Sequence, residues 1–292
     1  MAAEAKTDPE HLSPQGRAWR KILLALLALV MLLGVASVAV LRSARTKPEV
    51  RQGEWEKEVD GHYSVKVGNE RFFGFSVRGD RMLVPDTPEV HFGANQDFSL
   101  EAWIKAYPSV SRTARQLAIF LGGHPGVQRF IPSALVSWVY RHSTDNDFGV
   151  TPLLDKHHTP DTLESIGFQM YLDYGRLACQ LSAPPMRQFA FQNFVSSGPN
   201  LQDRRWHHVA LTVQRATTNG GRLYVDGRQV LVFDPTKQNG DLSNSEPLRI
   251  GNHANPTLKC FFKGRIGDVA VYRRALGVDE IAASFKKGRS GG

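Results

Sequence analysis

Short apolar runs separated by turn-forming residues dominate the chain from residue 63 onward. Gly, Pro, Asn or Asp stands between the runs, which include SVKV, RFFGFSV, FSLEAWIKA, QLAIFL, ALVSWVY, HVALTV, RLYV and GDVAVY. Many short strands at close spacing are typical of an all-β sandwich. The pattern therefore predicts one β-sandwich domain over residues 63–288, with a single helix near its end at DEIAASFKK.

The sequence RRWHHVALTV shows the strand alternation clearly. In an extended strand His207 shares a face with the following valine and leucine side chains, and His208 lies on the opposite face with Trp206. The two histidines therefore cannot easily bind one metal ion, and all three residues are predicted to serve folding, with Trp206 as a core side chain. Two turn sequences follow, NGG at 219–221 and DG at 226–227. Their glycines are expected to supply the positive φ of tight hairpins.

One apolar segment precedes the predicted sandwich. It runs from Ile22 to Leu41 as ILLALLALVMLLGVASVAVL and contains no charged residue. A helix of this length, at ~1.5 Å per residue, covers the ~30 Å hydrocarbon core of a bilayer. A cleaved secretory signal usually has a shorter apolar core and a shorter charged region before it. We therefore expect an uncleaved transmembrane helix over residues 22–41.

Basic residues flank this segment equally on both sides, so the positive-inside rule does not decide its orientation. Large domains are translocated largely regardless of their charge. We expect residues 1–21 in the cytoplasm, residues 42–62 as a charged juxtamembrane stalk, and the sandwich outside the cytoplasm at a plasma or inner membrane.

Several function classes lack the motifs that they require. The net charge of +8 is not accompanied by an RNP-like, zinc-finger or helix-turn-helix pattern, so no nucleic-acid partner is predicted. No GxSxG, P-loop or HExxH sequence occurs. Glycosidases need two carboxylates across a groove, but the alternating Glu54, Glu56 and Glu58 fall in the predicted stalk. The sequence therefore does not predict an enzyme.

Four sequence blocks, taken in order, resemble the laminin-G-like jelly-roll domains of the concanavalin A-like fold. The blocks are HFGANQDFSLEAWIKAYP (91–108), GFQMYLDYGRLACQLS (167–182), RRWHHVALTVQRATTNGGRLYVDGRQV (204–230) and PLRIGNHANP…FFKGRIGDVAVYRRALGVDEI (247–281). The resemblance runs from about Phe72 to Phe285. It implies an all-β, two-sheet antiparallel jelly-roll sandwich whose role is usually binding rather than catalysis.

Together with the apolar segment, the resemblance implies a single-pass, membrane-anchored module for binding or adhesion to a glycan or protein outside the cytoplasm. Two alternatives remain open. In the first alternative the domain is an accessory structural subunit of a larger membrane complex, and in the second, less favoured one it is a polysaccharide-active enzyme.

The stretch 109–150 is longer than the usual connection in the resembled family. Loops on a rigid sandwich tend to carry specificity, and arginine and aromatic side chains are frequent binding anchors. The candidate binding residues in this insertion are Arg112, Arg115, Arg129, Trp138 and Arg141. The alternative is an extra hairpin that covers a sheet edge.

Laminin-G-like domains frequently bind calcium at the sandwich rim through oxygen ligands. Asp80 and Asp268 are the candidate calcium ligands here, and a structural role at strand ends is the alternative for both. No other cofactor is predicted. The two cysteines, Cys179 and Cys260, have apolar residues two positions away and are predicted to face the core. The sequence does not fix their separation, so a disulfide between them remains open.

Overall fold

A computed structural model describes residues 47–76, 79–108, 149–158, 165–183, 191–255, 258 and 260–289. Lys47 onward forms one compact unit. The predicted transmembrane segment 22–41 lies outside the described residues, as does the insertion up to residue 148. In the described part of the chain, no helix combines the length and the apolar character that a bilayer crossing requires.

The first of two sheets contains seven strands, labelled in chain order across the whole domain. In spatial order they are β1 (Val50–Gln52), β5 (Arg81–Val84), β14 (Leu248–Ile250), β7 (Val150–His158), β8 (Ile166–Asp173), β9 (Arg176–Ser182) and β10 (Phe191–Val195). All neighbours are antiparallel except β1 and β5, which are parallel.

The second sheet is antiparallel throughout. In spatial order its strands are β13 (Arg228–Phe233), β12 (Gly221–Val225), β11 (His207–Val213), β6 (Phe98–Ala106), β15 (Gly264–Tyr272), β3 (Tyr63–Lys66) and β2 (Glu54–Lys57). A further strand, β4 (Phe72–Phe75), also pairs with β15. The predicted all-β, two-sheet sandwich is therefore confirmed.

The core between the sheets is built by alternating apolar side chains, as the sequence predicts. In β11, Val209 and Leu211 are fully buried in this core, whereas His208 lies on the outer face. Three phenylalanines meet near its centre: the Phe92 and Phe98 rings are stacked 4.3 Å apart, and the Phe168 ring lies within 5.5 Å of both. Aromatic contacts of this kind add to the free energy of burial.

The two predicted hairpin turns are formed in different ways. Asp226 and Gly227 have φ of 50° and 74°, as expected for a tight turn between β12 and β13. Gly220, in contrast, is required by close packing: a Cβ at this position would lie 2.0 Å from the carbonyl oxygen of Gln214. The expectation of positive φ is therefore correct for the second turn and wrong for the first, where neither Gly220 nor Gly221 has a positive φ.

The helix α1 (Val278–Arg289) is formed where the sequence predicts a helix, and it covers part of the outer face of the second sheet. Ile281 is buried with Ala210 and Tyr224, and the Phe285 ring stacks on Trp103 at 5.8 Å. The carboxylate of Glu280 accepts a hydrogen bond from the backbone N–H of Gly277 at 2.9 Å and so caps the first turn.

The predicted stalk is wrong in its second half. Residues 50–52 and 54–57 are strands β1 and β2, so the sandwich begins about a dozen residues earlier than expected. Two of the carboxylates that suggest a solvated segment are paired instead: Glu56 with Lys66 on β3 at 2.8 Å, and Glu58, just after β2, with Arg71 at 2.7 Å.

Both cysteines are buried and no disulfide joins them. Cys179 lies on β9 in the core, as predicted, and burial strongly raises the pKa of its thiol. Cys260 is buried too, but it precedes β15 and does not belong to a strand.

Candidate functional site

A row of polar side chains crosses the outer face of the first sheet. Neighbouring strands are in register at Arg249, Asp155, Gln169, Gln180 and Asn193, which lie on β14, β7, β8, β9 and β10. Residues that follow or precede them on these strands face the core, so the five side chains share the outer face. We call this set the polar row.

A β-bulge in β7 sets which of its side chains face outward. The register shifts between Pro152 and Leu154, and both Leu153 and Leu154 are buried in the core. The extra residue resets the alternation, so that Asp155 and His157 lie on the outer face. Lys156 takes the core-facing position between them.

Asp155 is fully buried at the centre of the polar row and accepts four hydrogen bonds. One oxygen accepts from the backbone N–H and the Nδ1 of His157, both at 3.0 Å. The other accepts from Gln169 Nε2 at 3.2 Å and from the backbone N–H of Ala254 at 2.8 Å. Burial alone would raise the pKa of Asp155, but the hydrogen bond and charge of His157 and the charge of His253 hold that pKa below its usual value.

His157 is fixed by this carboxylate. An ionised carboxylate only accepts, so Nδ1–H donates to Asp155 and the ring presents Nε2 away from it. Nε2 is buried and has no hydrogen-bond partner in the structure. The hydrogen bond to Asp155 therefore fixes both the tautomer and the orientation of a buried ring.

His253 lies over Asp155 on the Gly251–Asn255 loop, with Nδ1 3.9 Å from the carboxylate. Its Nδ1 accepts the backbone N–H of Asn255 at 2.9 Å. Burial chiefly lowers the pKa of His253, and the nearby charges of His157 and Arg249 lower it further against the opposing effect of Asp155. His253 covers Asp155 and closes this part of the polar row.

The other half of the polar row is open to solvent. Gln180 Nε2 donates to Asn193 Oδ1 at 2.9 Å, and Asn193 is exposed. Phe191 lies two residues away on the same face of β10 and is 38% exposed. Amide side chains donate and accept hydrogen bonds, and an exposed ring beside them offers an apolar contact.

Lys156 lies between Asp155 and His157 on β7, and its side chain points to the opposite face of the strand. Its buried Nζ donates to Asp86 Oδ1 at 2.7 Å and to the backbone carbonyls of Asn244 and Glu246 at 2.9 and 2.7 Å. Burial lowers the pKa of Lys156, against the opposing effect of Asp86. The two carbonyl hydrogen bonds hold the loop before β14 against β7, and the ion pair holds the segment after β5, so Lys156 fixes the closed half of the polar row.

The two candidate calcium ligands lie on different sheets. Asp80 precedes β5, and its two oxygens accept the backbone N–H groups of Glu49 at 2.9 Å and Ser76 at 2.8 Å. Asp268 lies in a bulge of β15 with φ of 42°, and burial raises its pKa. Over the described ranges no cluster of three or more His, Cys, Asp or Glu residues is arranged to hold a metal ion. Calcium binding stays a prediction.

The candidate binding residues Arg112, Arg115, Arg129, Trp138 and Arg141 all lie outside the described residues. Trp206 is half-buried on the outer face of the second sheet and is not part of the core, so the expectation of a core tryptophan is wrong. It precedes β11, and its ring contacts Phe72 and the Arg265 guanidinium.

His207 and His208 separate to opposite faces, as predicted. His207 contacts Asp226 through Nδ1 at 2.8 Å and Asp203 through Nε2 at 3.1 Å. His208 Nε2 lies 3.4 Å from the buried Glu101, beneath α1. Both have carboxylate partners within the fold, which is consistent with a structural role.

The first testable prediction concerns His207. The hydrogen bond to Asp226 raises the pKa of His207 despite its burial. A raised pKa means that this histidine stabilises the fold below about pH 6.5 and that the contribution is lost as the pH rises through the raised value. Urea unfolding of the protein and of a His207→Gln variant should therefore differ more at pH 6 than at pH 9. An equal difference at both pH values would contradict the assignment.

Neither Asp155 nor His157 is among the site residues predicted from the sequence. The signal that could have identified them is the D-x-H spacing in LDKHH, which puts a carboxylate and an imidazole on one face of a strand. The contributions of Gln169 and Ala254 depend on strand register and on a loop 99 residues away, which no local pattern contains.

Comparison with protein families agrees with this architecture. The Laminin_G_3 model, described as the concanavalin A-like lectin/glucanases superfamily, matches residues 132–282, more than half of the chain. The chain belongs to this superfamily. The match includes β7 to β15 and hence the whole polar row, and it begins inside the stretch that the sequence analysis assigned to an insertion. The superfamily match leaves out the 91–108 block, although β6 lies in the middle of the second sheet.

Solved structures similar to the chain include three binding domains of toxins. They are the binding domain of Paraclostridial Mosquitocidal Protein 1 (15% identity, TM-score 0.49, 83% of this chain and 47% of that one), the receptor binding domain of botulinum neurotoxin D (10%, 0.48, 81% and 48%) and the botulinum neurotoxin serotype G binding domain (12%, 0.47, 80% and 44%). The chain thus spans less than half the length of each. At this identity and superposition, the similarities carry no information on its ligand. No curated protein matches the chain.

Proposed function

We propose that this protein is a membrane-anchored binding module whose ligand is a glycan, held on the outer face of the first sheet. The observation that carries the proposal is the polar row, in which five hydrogen-bonding side chains stand in register across five strands. Glycan hydroxyls both donate and accept, and the amide groups of Gln180 and Asn193 at the open end of the row provide both functions. Phe191 offers an apolar surface at the open end.

The anchor is the apolar segment Ile22–Leu41, with the domain outside the cytoplasm. The stretch 109–150, with its arginines and Trp138, is proposed to extend the binding surface. Protease treatment of intact cells or spheroplasts should remove the domain, and complete protection behind a permeable outer envelope would reverse the orientation.

A binding role fits the chemistry of the polar row better than hydrolysis does. Glycoside hydrolysis takes two carboxyl groups, one of them with a raised pKa that acts as an acid. The polar row contains one carboxyl group, Asp155, and its pKa is lowered. Its four hydrogen bonds make it an organising group for neighbouring side chains rather than a proton donor.

The second testable prediction concerns the open end of the polar row. The full chain, solubilised in mild detergent, should retain a subset of glycans on an array. Gln180→Ala should weaken that binding by about 2- to 10-fold, the usual effect of losing one hydrogen bond. Gln229→Ala is the matched control, because Gln229 is an exposed glutamine on β13 of the other sheet.

Two outcomes would contradict the proposal. If no glycan is retained while the chain remains folded, the ligand is of another class, and a partner protein isolated from gently solubilised membranes becomes the alternative. If Gln180→Ala and Gln229→Ala bind equally well, the glycan site lies elsewhere on the domain.

A further inference from the structure

The first strand of the domain, β1, begins at one end of the sandwich. The strand ends Phe75, Gly264 and Ala106 lie side by side there, in register. β5 begins at this end, shortly after β4 ends at Phe75, and Val50 at the start of β1 pairs with Arg81 at the start of β5. β1 therefore begins at the same end. We call this the entry end.

Asp80 fastens the entering chain to this end. Its carboxylate accepts hydrogen bonds from the backbone N–H of Glu49, just before β1, and of Ser76, just after β4. The position of the entering chain is therefore set by the fold and not by a loose linker.

The entry end exposes aromatic side chains on the outer face of the second sheet. Phe72 on β4 and Trp206 before β11 are separated by two strands, yet their rings lie 5.2 Å apart in an edge-on contact. The contact is possible because Gly267 lies beneath Phe72: a Cβ at Gly267 would be 2.1 Å from that ring. Phe72 is 38% exposed, and Tyr107 at the end of β6 is 37% exposed.

Basic residues surround these rings. Lys105 and Arg265 are cross-strand neighbours, and the Arg265 guanidinium lies 5.9 Å from the Trp206 ring centre. Lys263 and Arg204 flank them, and Arg204 is held at φ of 69° by a hydrogen bond from its backbone N–H to the carbonyl of Ala106. None of these four basic residues forms an ion pair with a described residue.

Both ends of the sandwich carry acidic residues. Asp60, Asp86, Glu89, Asp234 and Glu246 lie at the opposite end, and Asp203 and Asp226 lie at the entry end, where both contact His207. Attraction to an anionic surface is therefore expected from the basic residues around the exposed rings and not from the charge of the whole end.

We propose that the entry end docks on the headgroups of an anionic lipid bilayer. Tyrosine, tryptophan and phenylalanine beside lysine and arginine are the side chains favoured at a membrane interface. The distance also fits: the nine residues from Leu41 to Val50 span at most roughly 30 Å, so an anchor ending at Leu41 keeps this end beside the membrane. The inference rests on the anchor in the proposed function, because without the anchor nothing brings the entry end to a bilayer.

The test uses the full chain reconstituted in vesicles of phosphatidylcholine, alone or mixed with phosphatidylglycerol, that contain a brominated lipid. Bromine quenches tryptophan fluorescence at short range, and the contribution of Trp206 is the difference between the protein and its Trp206→Phe variant. Quenching of Trp206 should increase when phosphatidylglycerol is present and fall as salt is added.

A double variant, Lys105→Glu with Arg265→Glu, should lower the docked-to-undocked ratio by roughly 25-fold or more, since each basic residue contributes about fivefold at an anionic surface. Lys237→Glu is the matched control, an exposed lysine at the opposite end, and should leave the quenching unchanged. If the double variant fails to fold, the dependence of Trp206 quenching on anionic lipid and on salt in the unaltered chain still tests the proposal.

Equal quenching in neutral and anionic vesicles would overturn the proposal. So would a Trp206 response to a sulfated polysaccharide that vesicles do not reproduce, since the surface would then be a glycan site. Failure of the anchor gives a different result: alkaline carbonate would release the chain from vesicles. Anionic lipid should still increase co-sedimentation of the released chain, and absence of that increase would refute docking independently.

Discussion

Replacing Phe168 by alanine is expected to lower the free energy of unfolding by about 3–5 kcal/mol, the usual cost of emptying a large aromatic site in a core. Phe168 lies on β8 and is almost completely buried, with the rings of Phe92 and Phe98 at 5.2 and 5.5 Å. Its removal takes away apolar burial and leaves a cavity that two stacked neighbours cannot close. Urea unfolding of the solubilised chain, followed by circular dichroism, measures the change.

Phe168→Leu is the graded control, because leucine fills most of the site and should cost less than alanine. Val232→Ala tests the exposed edge of the other sheet, where little change is expected. Equal losses for the two Phe168 variants would show that the aromatic cluster does not determine stability at this position.

Replacing Asp155 by alanine is expected to be comparably destabilising, by about 3–5 kcal/mol, for an electrostatic rather than an apolar reason. The substitution removes an acceptor of four hydrogen bonds and leaves buried donors on His157, Gln169 and Ala254 without their partner. Unsatisfied buried donors each cost about 1–3 kcal/mol. The measurement is again the midpoint of urea unfolding at pH 7.

Asp155→Asn separates charge from hydrogen bonding, because asparagine keeps one acceptor oxygen and places an NH₂ group where the other accepts. It should be destabilising, but less so than alanine. The pKa of Asp155 is lowered by its surroundings, so its stabilising effect is present above about pH 4 and is lost as the pH falls through the lowered value. If the unaltered protein and Asp155→Ala differed equally at pH 7 and pH 2, the ionised carboxylate would not be the stabilising species.

The strands that the sequence predicts well are those with one apolar face. In β11 the alternation of Val209 and Leu211 with His208 contains all the information needed, because side-chain direction has a period of two. The signals for helix α1 are also local in sequence: an acidic first turn and the apolar Ile281 predict it.

β1 and β2 are not recognisable in this way. Their side chains are mostly charged, and they are held by backbone pairing and by partners distant in sequence, such as the Trp55 indole N–H bonded to the carbonyl of Pro85 at 2.8 Å. A charged strand at a sheet edge has the same composition as a solvated linker. Only the location of its partners distinguishes the two.

The polar row could be predicted only in part for a related reason. The bulge in β7 changes which residues face outward, and Pro152 gives no certain sign of it. Bringing Asp155 beside Gln169 requires the register of β8, and bringing it beside Ala254 requires the path of a loop after β14. Such long-range relations are properties of the folded sandwich.

The parallel pairing of β1 with β5 has a mechanical consequence. The chain passes from β1 in one sheet through Gly53 to β2 in the other, and the Gly53 N–H is bonded to the carbonyl of Leu83 at 2.9 Å. Tension applied at the N-terminal end runs along β1, so its short ladder with β5 is loaded in shear, with all its bonds strained together. Within eight residues, from Val50 to Lys57, the chain pairs with both sheets. A force applied at the N-terminal end must therefore break the ladders of β1 and β2 before it reaches the rest of the domain.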